Sequence, residues 1–219
     1  MNNSRTEKDF LARFDRFFFE SHNNFTWIGD GAFGGKASGL ALAHKIIHEK
    51  INTEDFPDVV LNIPRMVVLR TNLFDAFMMR NNLFEIAFSN EADEHIALAF
   101  LQADLPVEIL GDLRTLIEKV HAPLAVRSSS LLEDAKNEPF AGIYATKMIP
   151  NNQPGADERF HKLTEAIKFV YASTFFKASK NYFKASSHTL QDEKMAVIIQ
   201  EVVGQLHYNR FYPNLSGVA

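Results

Sequence analysis

PLAVRSSSLLEDAKNEPFAGIYAT, residues 123–146, joins a short apolar run to an arginine, three consecutive serines and a glycine turn. Leu124, Ala125 and Val126 follow Pro123 and stop at Arg127, the pattern of a buried strand that ends by aiming a cation into a cleft. Arg127 is that cation. Ser128, Ser129 and Ser130 add hydroxyl donors and backbone N–H groups, and Gly142 lets the backbone approach a ligand with no Cβ in the way. The segment reads as one that handles phosphate.

Two other stretches carry compatible chemistry. GDGAFGGKASG, Gly29–Gly39, is a flexible glycine loop running into a predicted helix, LALAHKIIHEK, with Lys36 at the junction. N–H groups at a helix N-terminus favour anions and glycines allow close approach. The loop is not a Walker A motif: Asp30 stands where its first glycine is needed, Ala37 follows the lysine, and no clear strand leads in. Taken alone, it reads equally as a helix cap with an exposed lysine. MAVIIQEVVG, from Met195, predicts the clearest strand in the chain, apolar through Ile199 and stopping at Gln200 and Glu201. An amide offers donor and acceptor to the edge of a base; the other reading is that the pair begins the turn toward Gly204.

Together these residues resemble the nucleotide-binding domain of the phosphoenolpyruvate synthase and pyruvate phosphate dikinase family. The resemblance rests on Arg127-Ser128-Ser129-Ser130, Glu133-Asp134, and Phe140-Ala141-Gly142 with Thr146. GGKASGLALA from Gly34, NIPRMVVL from Asn62, AIKFVYASTFFKAS from Ala166 and MAVIIQEVVG follow in the family's order, so that residues 27–219 are covered. It implies an α/β fold, the first lobe of an ATP-grasp nucleotide-binding domain, with a mixed sheet and flanking helices. It implies ATP as ligand, Lys36 and Arg127 as the catalytic cations on the phosphates, and Gly35, Ser128, Ser129, Gly142 and Thr146 around the phosphate tail. Gln200, with Glu201, is implied beside the adenine. Ala37 departs from the glycine the family often has there.

By the same resemblance, a longer parent moves the β-phosphoryl of ATP to a histidine on another domain and then to pyruvate, yielding phosphoenolpyruvate and AMP. This chain is then the ATP-binding portion of a phosphotransferase, inactive by itself. Mg2+ is expected in the intact protein with ligands outside this chain, because the sequence ends at Ala219 within a Ser-Gly-Val stretch that continues in the family. A function of another class, a non-catalytic adenine-nucleotide-binding regulatory module, is the alternative.

The remaining features set limits. A chain of 219 residues with 46% hydrophobic residues can bury a sizeable core. A net charge of −4 and a pI near 6.1 leave no electrostatic footprint for nucleic acid or an anionic membrane. The absence of cysteine removes disulfides, thiolate metal sites and cysteine nucleophiles. MNNSRTEKDF lacks an apolar signal core and no window reaches the length of a membrane span, so the chain reads as cytoplasmic. Phe10, Leu11, Phe14, Phe17 and Phe18 predict an amphipathic helix over Thr6–Ser21, within an N-terminal extension of residues 1–26. Its apolar face suits docking to another domain or subunit, a homodimer included.

Most of the twenty phenylalanines, and the Met78-Met79 pair, are expected in the core. Val59–Arg70 predicts a strand broken by Pro64, and residues 91–119 predict two helices. The acidic cluster Glu91, Asp93 and Glu94 beside His95 reads as a solvated face rather than a metal site. A further helix, capped by Asp157, presents Phe160, Leu163, Ile167, Val170 and Thr174 on one face.

Overall fold

The computed structural model describes residues 11–15, 17–18, 23–52, 55, 57–131, 142–186 and 188–217. Glu133, Asp134, Phe140 and Ala141 of the central motif lie outside them, as do residues 6–10, 16 and 19–21 of the predicted N-terminal helix.

Apolar runs short enough for strands build the centre. β2 (Phe25–Ile28), β3 (Met66–Leu69), β4 (Leu124–Ser130) and β6 (Met195–Glu201) are buried on both faces over most of their length. With β1 (Leu11–Arg13) and β5 (Thr146–Ile149) they form a six-stranded mixed sheet in the order β1-β2-β3-β6-β4-β5. The β1–β2 and β2–β3 pairs are parallel; β3–β6, β6–β4 and β4–β5 are antiparallel. A short hairpin of β7 (Gln205–His207) and β8 (Arg210–Tyr212) stands apart from the sheet.

Seven helices complete the described fold: α1 (Gly35–Lys50), α2 (Thr71–Arg80), α3 (Phe84–Phe88), α4 (Asp93–Gln102), α5 (Val107–Lys119), α6 (Ala156–Ser173) and α7 (Lys177–Ala185). They cover the two faces of the sheet unequally. Strand alternation sends Val67, Leu69, Val126, Val197 and Ile199 into a large core shared with Phe77, Ile96, Phe100, Leu113, Ile167 and Tyr171 of the helices. Phe74, Phe77, Phe100, Tyr171 and Phe175 pack there in a web of tilted and edge-on ring contacts with one stacked pair, Phe74 on Phe175. The opposite face sends Phe25, Met66, Val68, Ala196 and Ile198 into a smaller core under α1. Among the described residues, the β4–β5 side of that face is bare past the reach of α1, with Thr146 and Met148 exposed.

Several expectations change. Residues 11–13 form an edge strand rather than helix: β1 runs beside β2, with the Thr26 hydroxyl donating to Ala12 O at 2.7 Å, while Phe14 and Phe18 enter the large core. β4 does not stop at Arg127 but continues through all three serines, because β6 supplies ladder partners as far as Ser130. A strand does lead into the glycine loop, since Phe-Thr-Trp-Ile has the aromatic and β-branched character of β2. Of the methionine pair, Met78 is buried and Met79 is exposed. The strand after Pro64 starts at Met66, leaving Val59, Val60 and Leu61 exposed. Gly155 caps α6, and Asp157 lies in its first turn, where it pairs with Arg114. Asp93 accepts from Lys177 N at 2.7 Å, tying α4 to the start of α7, and Glu91, just before α4, meets His95 at 3.0 Å.

Candidate functional site

The bare part of the sheet becomes a cleft of about 330 Å3, lined by Pro64, Ala125, Arg127, Thr146, Met148, Gln200, Glu201, Val202 and Val203. Its polar members meet through strand register. Arg127 lies opposite Thr146 on one side and Ile198 on the other, and Gln200 lies opposite Ala125. Arg127 Nη1 donates to Gln200 Oε1 at 3.1 Å. A guanidinium only donates, so this contact turns the amide oxygen toward Arg127 and leaves the Nε2 hydrogens for other acceptors. Glu201 faces Arg65 at 4.0 Å; burial pushes its carboxyl pKa up, and the Arg65 charge opposes that. Met148 and Val203 are more than half exposed and give the cleft apolar walls.

Lys36 lies outside this cleft, at the start of α1, and donates to Ser128 Oγ at 3.3 Å. Three contacts place it there. Ser129 Oγ accepts from Ala37 N at 3.0 Å and donates to Phe33 O at 2.9 Å, which pins the first turn of α1 to β4. Gly34 caps the helix at φ 72°, ψ 170°, and a Cβ built there would fall 1.8 Å from Ser129 O. The loop before it is pinned rather than flexible. Asp30 N and Ala32 N donate to Asn72 Oδ1 and Thr71 Oγ1 at 2.7 and 2.9 Å, and the backbones of Thr71 and Asn72 donate back to Ala32 and Asp30. Arg70 stacks 4.6 Å from the Phe33 ring centroid and donates to Gly31 O.

The structure therefore brings Arg127, Thr146, Gln200 and Glu201 into one cleft, and places Lys36, which follows Gly35 at the start of α1, on Ser128 outside it. The other predicted groups are placed differently. Ser128 and Ser129 are buried, and the Ser129 hydroxyl is occupied in holding the loop, so these serines support the site from within the sheet. Gly142 sits on a turn at φ 78° and its Cβ position meets none of the described residues, so it serves the turn conformation. Sequence reasoning passed over Gly34, whose lack of a side chain is what lets α1 reach β4, and over Met148 and Val203 as cleft walls. Period-two alternation out from Arg127 across β5 is the signal for Met148.

Among the described residues, no group of three or more His, Asp and Glu side chains is arranged to hold a metal ion, and no helix is long and apolar enough to cross a membrane. Comparison with curated proteins returns no match. Residues 31–219 match the family described as "Pyruvate phosphate dikinase, AMP/ATP-binding domain", and the chain belongs to that family.

Proposed function

We propose that this domain is the ATP-binding portion of a phosphotransferase that resembles phosphoenolpyruvate synthase, and that its nucleotide lies along the bare face of the sheet. The observation that carries the reading is the order of groups along β4. Gln200 stands opposite Ala125, Arg127 and Thr146 come next, and Lys36 meets Ser128. At roughly 3.3 Å of rise per residue, the run from Ala125 to Ser128 spans roughly 10 Å, a length that suits a base at one end and phosphates at the other. In this arrangement Met148 and Val203 flank the base, and Gln200 Nε2 donates to one of its ring nitrogens. Arg127 meets the phosphates nearest the ribose, and Lys36 the distal ones.

Phosphoryl transfer depends mainly on positioning and charge stabilisation. Two cations fixed by neighbouring side chains serve that need. In the intact protein, a histidine on another domain would attack the β-phosphorus and AMP would leave with the bridging oxygen; the resulting diphosphohistidine would give its γ-phosphoryl to water or phosphate, and the remaining phosphoryl group would pass to the pyruvate oxygen. No group of three or more His, Asp and Glu side chains among the described residues is arranged to hold a metal ion, and no step here runs through the Mg2+ that the resemblance implies.

Calorimetric titration with ATP and GTP, repeated on Arg127→Ala and Gln200→Ala, tests the placement. Removing a charge-assisted contact from Arg127 is expected to cost about 1.5–3 kcal/mol, or roughly 10–100-fold in affinity for ATP. Unchanged ATP affinity in Arg127→Ala would remove the cleft from consideration.

A further inference from the structure

Outside the cleft, the structure buries a carboxylate that the proposed chemistry does not use. Glu193 occupies the turn before β6 and is almost fully buried. Its Oε1 accepts from Leu131 N at 3.2 Å and Lys194 N at 3.0 Å, and its Oε2 accepts from the Tyr144 hydroxyl at 2.7 Å. Leu131 directly follows β4, its N–H shared between Glu193 and Lys194 O at 3.3 Å, and Tyr144 lies two residues before Thr146. Ala145 N donates to Ser173 Oγ at 3.1 Å, so the approach to β5 is held at two successive residues. The next side chain extends the connection: Lys194 Nζ meets Asp75 Oδ2 at 2.5 Å on α2, the helix whose first residues hold the glycine loop.

We infer that Glu193 is a positioning residue for the nucleotide site, whose carboxylate locks the end of β4 to the Tyr144 turn and thereby sets Thr146 against Arg127 and Ser128 against Lys36. The inference rests on the nucleotide reading of the cleft. Charge is not what the arrangement needs. Burial pushes the Glu193 carboxyl pKa up, with hydrogen bonds from Tyr144 and Leu131 opposing, so the medium disfavours the ion while the geometry demands acceptors. A glutamine can meet the same geometry. Its carbonyl oxygen would accept from the two backbone N–H groups and its amide would donate to a Tyr144 hydroxyl turned to receive it. Alanine would leave two backbone donors and a phenol without that acceptor.

The test compares the full chain with Glu193→Gln, Glu193→Ala and Tyr144→Phe, reading ATP affinity, thermal unfolding and amide hydrogen exchange at Leu131, Ala145 and Thr146. Glu193→Ala is expected to bind ATP at least tenfold more weakly while still unfolding cooperatively, with Glu193→Gln restoring affinity to within about threefold. Tyr144→Phe, the milder lesion should the alanine variant not fold, is expected to speed exchange at Ala145 and Thr146 at least fivefold while amides of α4 and α6 stay unchanged. Wild-type affinity in Glu193→Ala overturns the inference, as does unaltered exchange at Ala145 and Thr146 in Tyr144→Phe. Equal loss in the glutamine and alanine variants also overturns it. If the unaltered chain binds no ATP, the nucleotide reading fails by itself, and the exchange data still decide whether Glu193 holds the turn.

Discussion

Replacing Gly34 by alanine probes the joint on which the proposed phosphate end depends. An ideal Cβ at this position falls 1.8 Å from Ser129 O, 2.4 Å from its carbonyl carbon and 2.7 Å from its hydroxyl oxygen. Two of these neighbours are backbone atoms inside a paired strand, so no rotamer change relieves the contact. The start of α1 must then withdraw from β4 by more than an ångström. Withdrawal breaks the bonds from Ala37 N to Ser129 Oγ and from Ser129 Oγ to Phe33 O, each contributing about 1 kcal/mol. The φ 72°, ψ 170° conformation adds about 1–3 kcal/mol for a residue with a Cβ. The expected loss is about 3–5 kcal/mol, a large share of the roughly 5–15 kcal/mol that stabilises a domain. Urea unfolding measures it, with Gly39→Ala as the control: Gly39 lies within α1 with nothing near its Cβ position, so alanine there is expected to add about 0.5–1 kcal/mol. If Gly34→Ala unfolds within about 1 kcal/mol of the unaltered protein, close packing of α1 on β4 is refuted.

Two further predictions concern buried polar groups away from the cleft. Arg159 donates to Ile117 O and Val120 O at 2.7 and 2.9 Å, capping the end of α5 from within α6; Arg159→Met is expected to lower unfolding stability by about 2–3 kcal/mol, and a loss below about 0.5 kcal/mol would contradict this role. His44 is buried in α1 with its ring edge-on to His48 at 4.5 Å, and burial, then the His48 charge, lower its pKa. Its contribution is therefore present above the ordinary histidine pKa and lost as pH falls, because the unfolded chain takes up the proton first. Denaturation followed from pH 7.5 to 5 should show stability declining through that window, and His44→Gln should flatten the decline; equal slopes would oppose the assignment.

The strands and helices with strong periodicity were legible in the sequence. Met195–Ile199 is apolar at every position because both faces of β6 are covered, and Leu163, Ile167 and Val170 of α6 recur at helical spacing because one face of that helix packs on the core before its last turn, 170–173, is buried all round. The serines of β4 were less legible. Their propensity favours turns, and they extend the strand here because β6 completes their backbone pairing, while Ala37 of α1 gives the Ser129 hydroxyl a donor and Phe33 of the preceding loop an acceptor. β1 was hidden for a different reason: Phe14 and Phe18 fit a helical period, but the partner that makes a strand of residues 11–13 is β2, and such pairing leaves little local trace. At the cleft, the charged and amide groups could be named from motifs, whereas which of them meet is a matter of register. Arg127 touches Gln200 because Ala125 lies opposite Gln200, a relation that only the folded sheet defines.

That contact has a thermodynamic consequence. Immobilising an arginine side chain costs about 1.5–2 kcal/mol in lost rotamer freedom. With Nη1 already held by Gln200, much of that ordering accompanies folding, so an arriving anion meets a guanidinium whose entropy has largely been surrendered beforehand. Gln200 would then strengthen anion binding without touching the anion, by sparing Arg127 a second loss of freedom.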